Sequence, residues 1–177
     1  IFADDQVRIY IRSHNVSGSI DIEALNPRTG KRTIVESKSI YADNADHILG
    51  RPNQNKMGKP RDSNLMQIGL YHWWRASNDP AFEDSRLVYG SRDTGRYGEF
   101  LITTIDIDDV TYIYYKSLAP HVGEWINSGI TIDNILENYA LVADAVKTGI
   151  IPPRDFSIRY SDEELHEEYL NDQLSDT

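Results

Sequence analysis

A chain of 177 residues and 20.2 kDa is long enough for one domain with a real core, and 40% hydrophobic with 26% charged residues match a soluble globular composition rather than a disordered or membrane one. The absence of cysteine excludes disulfides, thiolate zinc sites and cysteine-held iron–sulfur clusters, so any metal must sit on oxygen or imidazole. A net charge of -10 speaks against a protein that coats nucleic acid, although much of the excess lies between Asp155 and Asp176 and metal-holding carboxylates are neutralised in use.

No apolar run approaches the ~20 residues of a membrane-spanning helix, and Ile1 to Gln6 lacks the basic-then-apolar pattern of a signal peptide, so neither a membrane nor secretion is expected. Val7 to Ile11 alternates as a half-buried strand, with Val7, Ile9 and Ile11 on one side. Val16 to Leu25 and Thr33 to Ile40 read as a hairpin around the turn chemistry of Asn26, Pro27 and Gly30. Gly50 to Asn64 reads as a loop carrying Arg51, Lys56, Lys59 and Arg61. A helix capped by Ser63 or Asn64 then runs to about Ala76, with Leu65, Ile68 and Tyr71 at apolar spacing and Trp73 and Trp74 near its end. A second hairpin joins Arg86–Gly90 to Glu99–Ile105, and Val110 to Tyr115 supplies a further strand. Thr131 caps a helix with Ile135, Leu136, Tyr139, Val142, Ala143 and Val146 on its apolar face, stopped by Gly149 before Pro152 and Pro153. Ser161 and Glu164 have capping-box spacing for a short acidic helix. The expected fold class is α/β, a central mixed β-sheet flanked by helices in a single domain spanning 1–177 with an acidic helical tail at about 155–177. The chain opens on Ile1 almost directly into strand-like sequence, which leaves room for an N-terminal helix outside it.

With a loop of Asn26 to Lys31, Leu25 faces Arg32, and counting outward along both strands sets Asp21 opposite Glu36. Lys38 shares the face of Glu36, while Ile20, Ile22 and Val35 are expected on the other, core-facing side. Two carboxylates directly opposed cost up to ~1 kcal/mol, and a hard divalent cation would relieve that, since Mg2+ prefers carboxylate oxygens completed by water and phosphate. Lys38 can orient or help deprotonate a water, or stabilise a phosphate as charge builds. Such a trio occurs often on the wet face of an ordinary sheet, and further residues are needed to lift it above that. Gln67 and Tyr71, four apart on one helical face, can reach the same groove.

Gly18-Ser19-Ile20-Asp21, Val35-Glu36-Ser37-Lys38-Ser39 and Gln67-Ile68-Gly69-Leu70-Tyr71, in this order and spacing, resemble the PD-(D/E)XK nuclease superfamily, and within it the RecB-type and phage exonuclease-like branch. The likeness extends over roughly Val16 to Arg154 and rests on the three motifs together. It implies a restriction-endonuclease-like core, Asp21 and Glu36 as metal ligands with the Ser37 carbonyl as a further one, and Lys38 as the catalytic lysine. Gln67 and Tyr71 would line the site and hold the strand. Mg2+ or Mn2+ is the implied cofactor and DNA the implied substrate, in the cytoplasm of a bacterial or phage-infected cell, with a homo-oligomer or a recombination protein as partner. The chain departs from iron–sulfur relatives, which place cysteines after the segment matching Ile151 to Arg154. It also shows no N-terminal helix bringing another acidic or histidine ligand.

The expected activity is metal-dependent hydrolysis of DNA phosphodiesters, as an exonuclease of recombination, repair or phage DNA processing. The alternatives are a non-catalytic nuclease-fold subunit for DNA binding or assembly, and a restriction-type endonuclease. Arg51, Lys56, Lys59 and Arg61 either track the phosphate backbone or simply solubilise their loop. Glu23 could touch a second metal but reads first as a surface residue, and His14 as a solvent-exposed loop histidine. His47, His72, His121 and His166 lack ligand spacing and receive no role.

Overall fold

The alternating residues Val7, Ile9 and Ile11 become the inner face of the first strand, β1 (Ala3–Ile11), in the computed structural model, which describes residues 3–51 and 56–150, with the side chains of 3–6, 42–44 and 56 excepted. A single turn of 3-10 helix ending at Asn15, whose φ is 54°, reverses the chain into β2 (Val16–Leu25). The turn to β3 (Arg32–Ile40) closes as its residues suggest: Asn26 and Lys31 are bridged by a backbone bond of 2.8 Å, and Gly30 takes a φ of 69° that favours glycine. Next come a short helix α1 (Ala42–Ile48), the paired strands β4 (Gly50–Arg51) and β5 (Lys56–Met57), and α2 (Asp62–Asn78). The chain continues through β6 (Phe82–Ser91), β7 (Tyr97–Ile107), β8 (Val110–Ala119), β9 (Ile126–Thr131) and α3 (Ile132–Thr148).

The architecture is α/β. One seven-stranded sheet has the order β1-β2-β3-β6-β7-β8-β9, parallel at β3/β6 and antiparallel elsewhere, so the segment from α1 to α2 is the crossover between the two parallel strands. Leu87, Tyr89, Phe100, Ile102, Ile113 and Tyr115 line one face of the sheet and cluster with Ala45 and Ile48 of α1, Leu65 and Ile68 of α2, and Ile132 and Ile135 of α3. The expected helical flank is thus built on one face. The opposite face, with Val35, Ser37, Val88, Leu101 and Thr103, is half-buried or exposed, and among the described residues no helix packs into a core there. Gly69 permits the contact of α2 with the sheet, because a Cβ there would run into Ile113.

Several elements differ from the sequence expectation. The loop expected over Gly50–Asn64 instead holds β4, β5 and the first turn of α2. α2 starts without a side-chain cap from Ser63 or Asn64; Arg61 is its N-cap residue, and the Arg61 N–H and the Asn64 amide both donate to the Tyr89 hydroxyl, at 3.1 and 2.9 Å. The Thr131 cap forms, its hydroxyl accepting from the Asn134 N–H at 3.2 Å, and Gly149 ends the segment with a φ of 72°. The apolar face expected on α3 is buried only at Ile132, Ile135 and Leu136; Tyr139 and Val142 are 45% and 57% exposed, and Val146 is exposed as well. Residues Ile1–Ala143 make one compact unit and Asp144–Thr177 a second, of which 144–150 are described, so the acidic helix, its Ser161–Glu164 box and the segment at Ile151–Arg154 lie outside the described residues. No described helix is long and apolar enough to cross a membrane.

Candidate active site

The β2–β3 ladder follows the counted register through Leu25↔Arg32, Ala24↔Thr33, Glu23↔Ile34 and Ile22↔Val35, then stops. Asp21 and Glu36 are therefore the first pair beyond the ladder, not a ladder pair. Past them both strands persist, but β2 pairs only with β1, and β3 only with β6. The two strands splay, and Asp21 and Glu36 stand where the gap opens.

The Asp21 carboxylate fills the hydrogen bond that the splay vacates: its Oδ2 accepts the Ser37 N–H at 2.9 Å. In a β-strand one residue's N–H and C=O point to the same edge, so the Ser37 carbonyl faces the same gap. The alternation of β2 also breaks here. Ile20 packs with Ile9, Ile34 and Tyr71 on the helix side, and three residues on Glu23 pairs with Arg75 of α2, again on the helix side.

That break corrects the expected division of the hairpin into an ionic face and a core face. Ile34, Glu36, Lys38 and Ile40 share one face of β3, and it is the face covered by α2, whereas Ile22 and Val35 lie on the other face and are only half-buried. Glu36 is 1% exposed. An ordinary carboxylate on a wet sheet face would not be. Its Oε1 accepts from the Lys38 Nζ at 2.7 Å, while its Oε2 is buried without a hydrogen-bond partner. Burial pushes the Glu36 pKa up and the Asp21 charge adds to this, against the opposing pull of Lys38. A buried, unpartnered carboxylate oxygen is costly unless something else satisfies it.

Tyr71 closes the helix side of the gap. The Gln67 amide donates to its hydroxyl at 3.3 Å, and Gly18 of β2 leaves space for that hydroxyl, which a Cβ would occupy. Burial raises the Tyr71 pKa, with Glu36 and Tyr139 adding to the rise and Gln67 and Lys38 opposing it. Asp21, Glu36, Ser37, Lys38, Gln67 and Tyr71 are thus brought together by three elements.

The basic residues are mostly committed elsewhere. Arg51 binds Asp46 at 2.8 Å, and Asp46 also takes Arg96 at 2.7 Å, which holds the Asp46 pKa below the usual carboxylate value. Lys59 pairs with Asp62 at 3.2 Å. Arg61 has an exposed side chain at the start of α2, over Tyr89, the ladder partner of Lys38. The Lys56 side chain lies outside the described ones. Glu23, weighed for a second metal, is taken up by Arg75 and by Arg32 at 3.6 Å. His14 sits in the turn after β1, bonded to Ser13. His72 is buried against Ser85 and Phe82, and burial lowers its pKa to about 4, so it is a neutral packing residue.

Sequence reasoning missed Tyr89, the anchor for the start of α2, because its partners come from a distant segment. It quoted Gly18 without a reason; a glycine inside a strand of β-formers is itself a signal of close approach. Among the described residues no three His, Asp or Glu side chains group to hold a metal, so protein carboxylates would furnish two ligands, Asp21 and Glu36, and the Ser37 carbonyl a third. That all-oxygen, incomplete set fits a hard cation that keeps water and phosphate in its shell. No protein-family model, curated protein or solved structure matches the chain.

Proposed function

We propose that the protein is a metal-dependent DNA nuclease with a restriction-endonuclease-like core, acting as an exonuclease in DNA recombination, repair or phage DNA processing. One observation carries this reading: the buried Glu36 carboxylate, one oxygen on Lys38 and the other unpartnered, at the point where β2 and β3 part beside Asp21. Asp21, Glu36 and the Ser37 carbonyl would hold Mg2+ or Mn2+. Such an ion, when bound, polarises a phosphate and makes hydroxide available near neutral pH. Lys38 is fixed by Glu36 yet remains 27% exposed, so its ammonium can meet a phosphate oxygen as charge develops on it. Gln67 and Tyr71 offer an amide and a hydroxyl to the same strand, and Arg61 offers an exposed charge for a neighbouring phosphate. Arg51 and Lys59 would have to leave Asp46 and Asp62 to do so.

End-labelled linear DNA and closed circular DNA, incubated with Mg2+ or Mn2+, test the reading. Linear DNA should be degraded from its ends and circular DNA spared; Glu36→Ala should abolish cleavage and Lys38→Ala reduce it by about 10²–10³-fold, the usual loss for a transition-state donor. Discrete fragments from circular DNA would instead select a restriction-type endonuclease. Salt-dependent DNA binding without cleavage would select a non-catalytic subunit, and equal cleavage by all three proteins would remove the assignment of the site.

A further inference from the structure

Between the N-terminal half of α2 and that of α3 lies a cavity of about 290 Å³ lined by Ser63, Met66, Gln67, Ile135, Asn138, Tyr139 and Val142. It adjoins the candidate active site: Gln67 lines it and also donates to the Tyr71 hydroxyl, and that hydroxyl feels the charges of Glu36 and Lys38. Its walls combine two chemistries. Met66, Ile135, Val142 and the Tyr139 ring make an apolar slot, whereas Asn138, Ser63 and Gln67 place two amides and a hydroxyl on it, with the Gln67 carbonyl oxygen left to accept because its NH2 serves Tyr71.

A flat, apolar-faced ligand with a hydrogen-bonding edge fits that combination, and a phosphate group does not, because no cation lines the cavity. The group that suits a phosphate is Lys38, whose charge reaches the Tyr71 hydroxyl that Gln67 binds. We propose that the cavity receives a nucleobase of the strand being cut, stacked on Tyr139 and bonded at its edge by Asn138 and Gln67, with that nucleotide's phosphate directed to Lys38. The inference rests on the nuclease reading for its substrate class. It adds a base-binding subsite, and with it a means of separating one nucleotide from its neighbours before cleavage.

The experiment uses the whole chain and oligonucleotides carrying 2-aminopurine at successive positions, with Ca2+ to permit binding while slowing hydrolysis. The base in the cavity should be quenched at one position; Tyr139→Ala should abolish that quenching and weaken binding by about 10- to 100-fold, the usual loss of one stacked base. Tyr139→Phe should retain both, and Asn138→Ala should weaken binding of the intact base alone. An abasic nucleotide at that position should bind wild type and Tyr139→Ala equally. Tyr139 is 45% exposed, so its truncation leaves the core intact. Cleavage that depends on Glu36 but no position-specific quenching, or equal discrimination against the abasic strand by wild type and Tyr139→Ala, overturns the subsite and leaves the nuclease reading standing. Tyr139-dependent quenching without cleavage under any divalent ion keeps the subsite and removes the nuclease reading. Absence of DNA binding removes both.

Discussion

At the scale of single residues, the site turns on a carboxylate whose burial is unfavourable on its own. The Glu36 pKa lies above its usual 4.5, so above pH 4.5 the folded state holds the proton more tightly than the unfolded chain does. Stability contributed by this group therefore falls as pH rises from 4.5 through the raised value. Glu36→Gln, in EDTA, should be more stable than wild type at pH 7 and close to it at pH 4; urea midpoints at the two pH values check this. A variant weaker at both would mean that the Lys38 ion pair outweighs the burial penalty. His72 works in the opposite sense. Its pKa is lowered from 6.5 to about 4, so stability is present in full above pH 6.5 and is lost as pH falls toward 4. His72→Gln should flatten the stability profile across that interval, which thermal melts at half-unit steps would read. Neither effect is visible in the sequence, where Glu36 is a charged residue in a strand and His72 a helix residue with no ligand spacing.

At the scale of elements, the hairpin was legible where its physics is local. The turn residues Asn26 and Gly30 set the register, and the counted pairs from Leu25↔Arg32 to Ile22↔Val35 follow from it. The face assignment failed because regular alternation was carried through Asp21, where the strand is irregular, and because charge was taken to mean exposure at Glu36. α1, with 7 residues, and β4 and β5, with 2 each, are too short for periodicity to register, and β9 carries Asn127 and Gly129, poor strand formers. α2 was legible from Leu65, Ile68 and Tyr71, but the anchoring of its start by Tyr89, whose hydroxyl accepts the Arg61 N–H and the Asn64 side-chain amide, is non-local and beyond reach of a capping rule. Two substitutions test these contacts. Gly18→Ala would force its Cβ against the Tyr71 hydroxyl, and overpacking of this kind costs roughly 1–3 kcal/mol; calorimetric melting should show that loss, with slower DNA cleavage because Tyr71 must move. Thr131→Ala removes the cap on α3 and should cost about 1 kcal/mol by urea titration.

At the scale of the whole molecule, a sheet covered by helices on one face places its candidate site at an internal fault line rather than at an outer edge. β2 and β3 are held on their outer flanks by β1 and β6 and released from each other beyond Ile22 and Val35, so the gap is open without leaving either strand unsupported. The overall charge of -10 does not oppose this use, because the groups facing the gap include Lys38, with Arg61 above Tyr89, and because two of the negative charges there are Asp21 and Glu36 themselves. The order of strands and helices indicated an α/β chain and the motif spacing picked out Asp21, Glu36 and Lys38, but the parting of β2 from β3 at those residues was not legible, because regular pairing was carried through them. Everything rests on whether Glu36 is a cation ligand or a buried structural acid. Titration of the metal-free protein with Mn2+, followed by electron paramagnetic resonance, decides between them: wild type should take up the ion, with Asp21→Asn and Glu36→Gln each weakening it at least about tenfold, of the order seen when metal-site partners are removed. Equal Mn2+ uptake by the wild type and both variants would contradict the account.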